Sequence, residues 1–491
     1  MPNRREISSL AGAPGRLHSA KGLIFFDDSK LIFLYIEVTR ENALFRTAFL
    51  AALGTILPLA LPAQVPVQAG QAGAPKEAVA DAPPQDWTFH AQTTFIEQAH
   101  PGFAAAYSGP HSLDPGGEEK HTYSLTVFLG HALWEGASLY YDPEVTMGQG
   151  LSDTVGIAAF PNGEGTRASS NAPEYDTARL FIRQVINLGG APSRVDDDQN
   201  QVAQTVDANR VTLTLGKLSA TDIFDNNSYS HDPRTQFLNW ALVDDGAWDY
   251  PADSKGYTGG FAAEWAQADH TLRYGIFMEP RIANELPLDS HVDKAFGQVI
   301  EWEERYTAWG HAGALRPMVY WNRAHMGLYQ AALEGPSPPD VTLSRAYRSK
   351  VGAGLNWEQE VGDGVGAFAR AGFNDGRTET WAYTEIDRAL SGGVVVSGRH
   401  WGRPDDGCGL AAIASGLSSE HRKYLAAGGD GFILGDGRLN YEPEEVLELY
   451  YLWQPVKWFA LTPDYQFVQN PGYNRDRGPV SVFGIRAHAE Y

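Results

Sequence analysis

The densest polar chemistry in this sequence lies between Lys217 and Tyr250. The stretch KLSATDIFDNNSYSHDPRTQFLNWALVDDGAWDY holds Asp222, Asp225, Asn226, Asn227, His231, Asp232, Arg234, Asn239 and Trp240, and it ends on Trp248 and Tyr250. Carboxylates, amides and a guanidinium offer planar hydrogen bonding to hydroxyl groups, while aromatic rings offer flat apolar faces. Such a set suits recognition of a neutral, hydroxyl-rich ring. Bond-breaking chemistry would need a nucleophile, a base and an orienting group presented together. No G-x-S-x-G elbow and no H-E-x-x-H motif occurs anywhere in the sequence. Asp232-Pro233 reads as a helix start, which predicts a short helix over Thr235–Leu242.

The segments that flank this stretch must position it, and they alternate with a period of two. Leu180, Ile182 and Ile186 share one face against Arg179 and Arg183. Val211, Leu213 and Leu215 oppose Arg210, and Leu272, Tyr274 and Ile276 oppose Arg273. Ile300, Trp302 and Tyr306 oppose Glu301, Glu303 and Arg305. The chain closes in the same way: Phe483, Ile485 and Tyr491 share a face opposite Arg486, His488 and Glu490. A period of two marks strands with two different environments. A terminal strand that is greasy on one side and charged on the other suits the last stave of a membrane barrel, and would be an aggregation hazard at a soluble sheet edge. From Asp86 onward there are about sixteen such segments, each near the roughly ten residues a tilted strand needs to span lipid. Tight turns (132–136, 266–270, 362–364) alternate with long excursions (142–176, 218–256, 323–348, 417–445). The expected fold is all-β: a transmembrane antiparallel β-barrel of about 16 strands, with long extracellular loops and one inward-folded loop, the 217–250 stretch. Alternation turns Arg179, Arg183, Arg210, Glu301, Glu303 and Arg305 toward the lumen. Asp225, Asn227, Asp232 and Arg234 join them from the loop, and Trp240, Trp248 and Tyr250 are the candidate stacking groups.

Composition bounds the alternatives. Of 491 residues, 12% are aromatic, with 13 Trp, 22 Tyr and 52 Gly, which is rich in strand, girdle and turn formers. Mean hydropathy is −0.31, unlike a bundle of membrane helices, yet barrels hide their membrane character because only alternate residues meet lipid. A formal net charge of −22 argues against a nucleic-acid partner. The single cysteine, Cys408, rules out an intramolecular disulfide framework and a cysteine metal cluster, and no cofactor or metal is expected. Asp196, Asp197 and Asp198 could hold Ca²⁺, but solvated loop charge is the simpler reading.

Several blocks together carry a family resemblance. They are Gly216-Lys217 with Asp222–Asp225 and Asn227, His231–Arg234, Phe237–Asn239 and Gly246–Pro251. Asn322–Gly327, Phe373–Gly376, Trp401–Asp406, Gly435–Gly437, Asp464–Gln466 and Asn474–Pro479 belong with them. Over Trp87–Tyr491 the chain resembles the carbohydrate-selective porins (OprB-type) of bacterial outer membranes. The resemblance implies a sixteen-stranded porin that passes small sugars into the periplasm by passive diffusion, surrounded by outer-membrane lipid. Which sugar passes, and whether the barrel is a monomer or a homotrimer, stay open. A general or ion-preferring porin of the same fold is the alternative, followed by a secreted β-rich carbohydrate-active enzyme using two carboxylates.

The front of the chain reads in pieces. The apolar run Ala48–Ala63 follows Arg40 and Arg46 and precedes Val67-Gln68-Ala69, a small-x-small exit, so residues 38–69 read as a secretory signal peptide. Residues 1–37 read as an extension from a mis-assigned start, 70–85 as an Ala/Pro/Gln-rich lead-in, and 86–491 as a single barrel domain. Mass spectrometry of the unprocessed precursor is expected to find no peptide from Met1–Lys30; finding one would place the start at Met1.

Overall fold

A computed structural model describes residues 85–168 and 170–491, which belong to one compact unit. The expected extension 1–37, the signal segment 38–69 and, apart from Gln85, the lead-in 70–85 lie outside the described residues.

Sixteen strands close into one antiparallel barrel. They are β1 (Trp87–His100), β2 (Glu118–Trp134), β3 (Ala137–Gly148), β4 (Glu174–Asn187), β7 (Arg210–Leu218), β8 (Thr258–Ala266), β9 (His270–Met278), β10 (Phe296–Ala308), β11 (His311–Ala324), β12 (Arg348–Gly362), β13 (Val365–Asn374), β14 (Arg388–Ser397), β15 (Gly407–Gly416), β16 (Glu444–Val456), β17 (Phe459–Gln469) and β18 (Val480–Glu490). Two further strands, β5 (Pro192–Val195) and β6 (Gln204–Asp207), pair only with each other. Closure is made by β18 against β1, from Gln92↔Glu490 to Ala99↔Phe483, and Ala91 and Tyr491 exchange backbone hydrogen bonds of 2.9 and 2.8 Å.

The expected alternation holds strand by strand. Leu180, Ile182, Leu215, Ile300, Trp302, Phe483 and Ile485 are exposed on the outer face, whereas Glu301, Glu303, Arg370, Gln466 and Arg486 are buried on the inner one. Exposed Trp87, Trp134, Trp265, Trp309 and Trp458 all fall at the end with the tight turns, as an aromatic girdle at one membrane interface requires. Both ends of the barrel sequence lie at that same end. Among the described residues no helix is long and apolar enough to cross a membrane.

Loop limits differ from expectation by a few residues. Asp142 lies inside β3 and Asp176 inside β4, so that excursion spans 149–173. The expected helix over Thr235–Leu242 is replaced by a single turn, α1 (Trp240–Val243), with Asn239 as its cap. The reason is competition for backbone donors. The Leu238 and Asn239 N–H groups donate to Glu448 on the wall (2.5 and 3.0 Å) instead of to carbonyls one turn earlier. Asp232 still caps a turn, accepting from Arg234 N and Thr235 Oγ1.

The long connection 219–257 folds into the barrel and is pinned to its wall by buried charge. Arg370 on β13 pairs with Asp225 at 3.1 Å and donates to the carbonyls of Leu242 (2.8 Å) and Ser230 (2.7 Å). Arg486 on β18 donates to the carbonyls of Pro233 and Gln236, both at 2.8 Å. Where the loop presses closest, the wall carries no side chain: a Cβ at Gly366 would stand 1.9 Å from the Tyr229 ring, and one at Gly372 would stand 1.9 Å from Asp245. Arg370→Ala is therefore expected to strand the Asp225 carboxylate and cost roughly 3–5 kcal/mol locally. Limited proteolysis checks this, with new cleavage between 219 and 257 in an otherwise intact barrel.

Candidate functional site

The loop divides the inner wall into two arcs of different character. Along β12–β18 the charged groups packed under the loops are sealed against loop backbone, and Glu360 and Glu490 near the tight-turn rim stay 29% exposed. Arg370 and Lys350 are 1% and 0% exposed, and Lys350 pairs with Asp249 at 2.8 Å. Glu444 accepts from the N–H groups of Ala158, Ala159 and Gly472, and Glu385 from those of Ile433 and Leu434. Along β4 and β7–β10 the charges pair with one another and several remain partly open, although Glu301, 1% exposed, also accepts from the loop N–H of Asp225. Asp222, Glu264 and Arg305 are 26%, 25% and 35% exposed.

On that open arc Arg179 forms a two-pronged pair with Asp222, at 2.7 and 2.6 Å, which suits the planar fork of a guanidinium. Burial works to raise the Asp222 carboxyl, and the adjacent Arg179 outweighs it, holding Asp222 below the usual carboxylate range and charged at neutral pH. Arg273 bridges Glu264 (3.0 Å), Glu301 (2.8 Å) and Glu303 (3.1 Å). Glu303 also takes Arg316 at 2.8 Å and pairs with Arg305, whose guanidinium reaches the hydroxyl of Thr271 and the carbonyl of Gln267. Arg183 donates to the carbonyl of Asn200 and lies over the rings of Tyr140 and Phe181. Arg210 donates to the carbonyl of Asp207 at the tight-turn end.

The loop residues occupy other positions than the sequence suggests. Asp225 is buried between Arg370, Asn356 and the Asp245 N–H. Asn227 bonds Asn356 and caps its own turn through Tyr229 N. Arg234 is buried between Glu144 (2.9 Å) and Glu164 (3.2 Å), tying the loop to β3 and to the 149–173 connection. The expected stacking residues pack protein against protein. Trp240 lies parallel to Phe160 at 6.0 Å, Trp248 meets Phe224 edge-on, and Tyr250 stacks on Tyr383 at 5.1 Å. Burying a ring inside a narrow lumen removes apolar surface from water, and this drives the rings together.

Several groups of the site were not singled out from sequence. Glu144 and Arg316 stand at inward positions of their strands, so the same alternation could have found them. Glu164 and Asp249 lie in loops, where no periodic signal exists. The acidic run is taken up by protein partners: Asp196 pairs with Arg194, Asp197 with His90, and Asp198 accepts from Gln199 N. Among the described residues, His311, Glu360 and Asp363 bring three metal-type donors together at the tight-turn end, with His311 and Glu360 at an ion-pair distance of 3.6 Å.

Comparison with known proteins agrees with this architecture. Among solved structures, the chain is similar to OprB of Pseudomonas putida, with a TM-score of 0.62 at 15% identity, covering 83% of this chain and 94% of that one. It also matches the outer membrane channel DcaP of Acinetobacter baumannii, with a TM-score of 0.48 at 10% identity over 83% and 97% of the two chains. No curated protein sequence matches at a significant level. The family described as carbohydrate-selective porin, OprB family, matches residues 123–491. A closed barrel with an apolar outside, a loop folded into its lumen and a family match over three quarters of the sequence lead to one conclusion: this chain belongs to the carbohydrate-selective porins of the OprB family, proteins of the bacterial outer membrane.

Proposed function

We propose that sugars cross this barrel along the arc formed by β4 and β7–β10, between that wall and the inward loop, and that paired charges there select for hydroxyl-rich neutral solutes. One observation carries the reading: on this arc and the loop segment facing it, Glu264, Arg305 and Asp222 stay 25%, 35% and 26% exposed, while Lys350, Arg370, Glu444 and Glu448 of β12–β16 are sealed. Fixed pairs such as Arg179–Asp222 and Arg273–Glu264 present donors and acceptors in one plane. They cancel one another's net field, so a neutral polyol gains hydrogen bonds while a bare ion gains little. In this reading Arg179, Arg183, Arg210, Glu301, Glu303 and Arg305 act as wall groups. Asp225, Asn227, Asp232, Arg234, Trp240 and Trp248 act indirectly, by holding the loop that narrows the passage. Residues 38–69 serve as the export signal.

Liposome swelling with a panel of solutes tests the selectivity. Glucose is expected to enter faster than an uncharged non-sugar of equal size; equal rates would leave a channel without sugar preference. Planar-bilayer recording tests the route. Asp222→Ala is expected to shift the reversal potential in a salt gradient toward anions, because it removes a negative charge from the passage and leaves Arg179 only the more distant Asp142. Glu448→Gln, on the sealed arc, is expected to leave that potential unchanged.

A further inference from the structure

The tight-turn end has one exception. Its other connections run from two residues, as at 135–136, 309–310, 363–364 and 457–458, to the nine of 398–406, but 188–209 between β4 and β7 carries the β5–β6 hairpin. This hairpin does not hang outside the barrel. Its base is fixed at the rim by Leu188 N to Asn209 O (2.9 Å) and by Asp207 N to the Asn187 side chain (2.9 Å). Its tip bonds side chains that point into the lumen from strands well around the wall. Gln199 donates to Glu490 on β18 at 2.8 Å, and Asn200 Nδ2 donates to Asp142 on β3 at 2.9 Å. Val202 N donates to the Tyr140 hydroxyl at 3.2 Å, and Asp197 lies 3.3 Å from His90 on β1. Val202, Ala203 and Val206 of the hairpin are themselves buried. From its roots at β4 and β7, the hairpin thus crosses β3, β2 and β1 to reach β18, on the inside.

Two features place the hairpin on a solute's way out. First, Glu490, which the tip meets, stays 29% exposed, so the tip borders open lumen. Second, the tip continues the polar line of the proposed sugar path. Asp222 on the inward loop holds Arg179, Arg179 Nη1 lies 3.5 Å from Asp142, Asp142 holds Asn200, and the Asn200 carbonyl takes Arg183 at 2.8 Å. The line runs from the outer loop to the hairpin tip without a break.

We propose that the 188–209 hairpin is a second constriction, at the periplasmic mouth, held across the lumen by the Asn200–Asp142 and Gln199–Glu490 contacts, past which a sugar must leave the barrel. The proposal rests on the reading of this chain as a sugar channel. Two constrictions in series allow discrimination twice while keeping each step shallow enough for release.

The hairpin can be removed cleanly on paper. Gly189 and Gly190 have φ of 98° and 100°, the left-handed side that a two-residue β-turn needs, so deleting 191–208 joins β4 to β7 by a Gly-Gly turn. The full-length protein and this deletion are compared in planar bilayers, with glucose and maltose added to the periplasmic side. The deletion is expected to raise single-channel conductance and to weaken sugar block. Asn200→Ala, which keeps the hairpin but removes the Asn200–Asp142 contact, is expected to weaken block by roughly 3- to 10-fold, the worth of one hydrogen bond. Asn200→Trp is expected to lower conductance. Should the deletion fail to yield a heat-modifiable barrel, the two Asn200 variants decide. Unchanged conductance and block in the variants, alongside a sugar-blocked full-length channel, overturns the second constriction alone. A full-length protein that conducts but is never blocked by sugar overturns the underlying reading instead.

Discussion

Closing β18 onto β1 is the constraint on which the rest depends. In hydrocarbon an unpaired backbone N–H or C=O costs several kcal/mol, so a spanning sheet cannot leave an edge. Once the edge is gone, every strand has one face toward lipid and one toward an enclosed volume. The period-two pattern then follows at every strand, with Leu215, Ile300 and Phe483 outside and Thr214, Glu301 and Val482 inside.

The enclosed volume creates a second problem, because loops folded into it bring backbone polar groups away from bulk water. The wall answers with charge. Arg370 and Arg486 donate to loop carbonyls, while Glu444 and Glu448 accept from loop N–H groups. An ionised partner makes a stronger hydrogen bond than a neutral one, and it satisfies two or three backbone groups at once. Many inward charges are therefore fasteners and not pore charges, while others, among them Asp222, Glu264 and Arg305, keep a side that solvent reaches. Selectivity and mechanical support draw on the same residue types, separated by where the loop lies.

This division explains which parts of the site were legible. Arg179, Arg183, Glu301, Glu303 and Arg305 stand out because alternation alone sends them inward, and the structure pairs them there. Asp225 and Asn227 stand out by density of polar residues, yet they anchor the loop to Arg370 and Asn356, a contact made across more than a hundred residues of chain. Trp240, Trp248 and Tyr250 carry the right surface for stacking, but Phe160, Phe224 and Tyr383 cover them, and Phe160 and Tyr383 come from two other connections. The helix expected after Asp232 is shortened because Glu448 competes for its donors.

By itself, then, the sequence determined the barrel: the strand period, the strand number, the alternation of tight and long connections, and a loop dense enough in polar groups to fold inward. These are local properties, set by a two-residue repeat and by turn chemistry. Only the tertiary structure decided which inward charges fasten a loop and which face the passage, and only it shows that 188–209 enters the barrel. Those outcomes depend on which distant side chain reaches an unpaired backbone group first, and closure of the barrel, not proximity along the chain, brings such partners together.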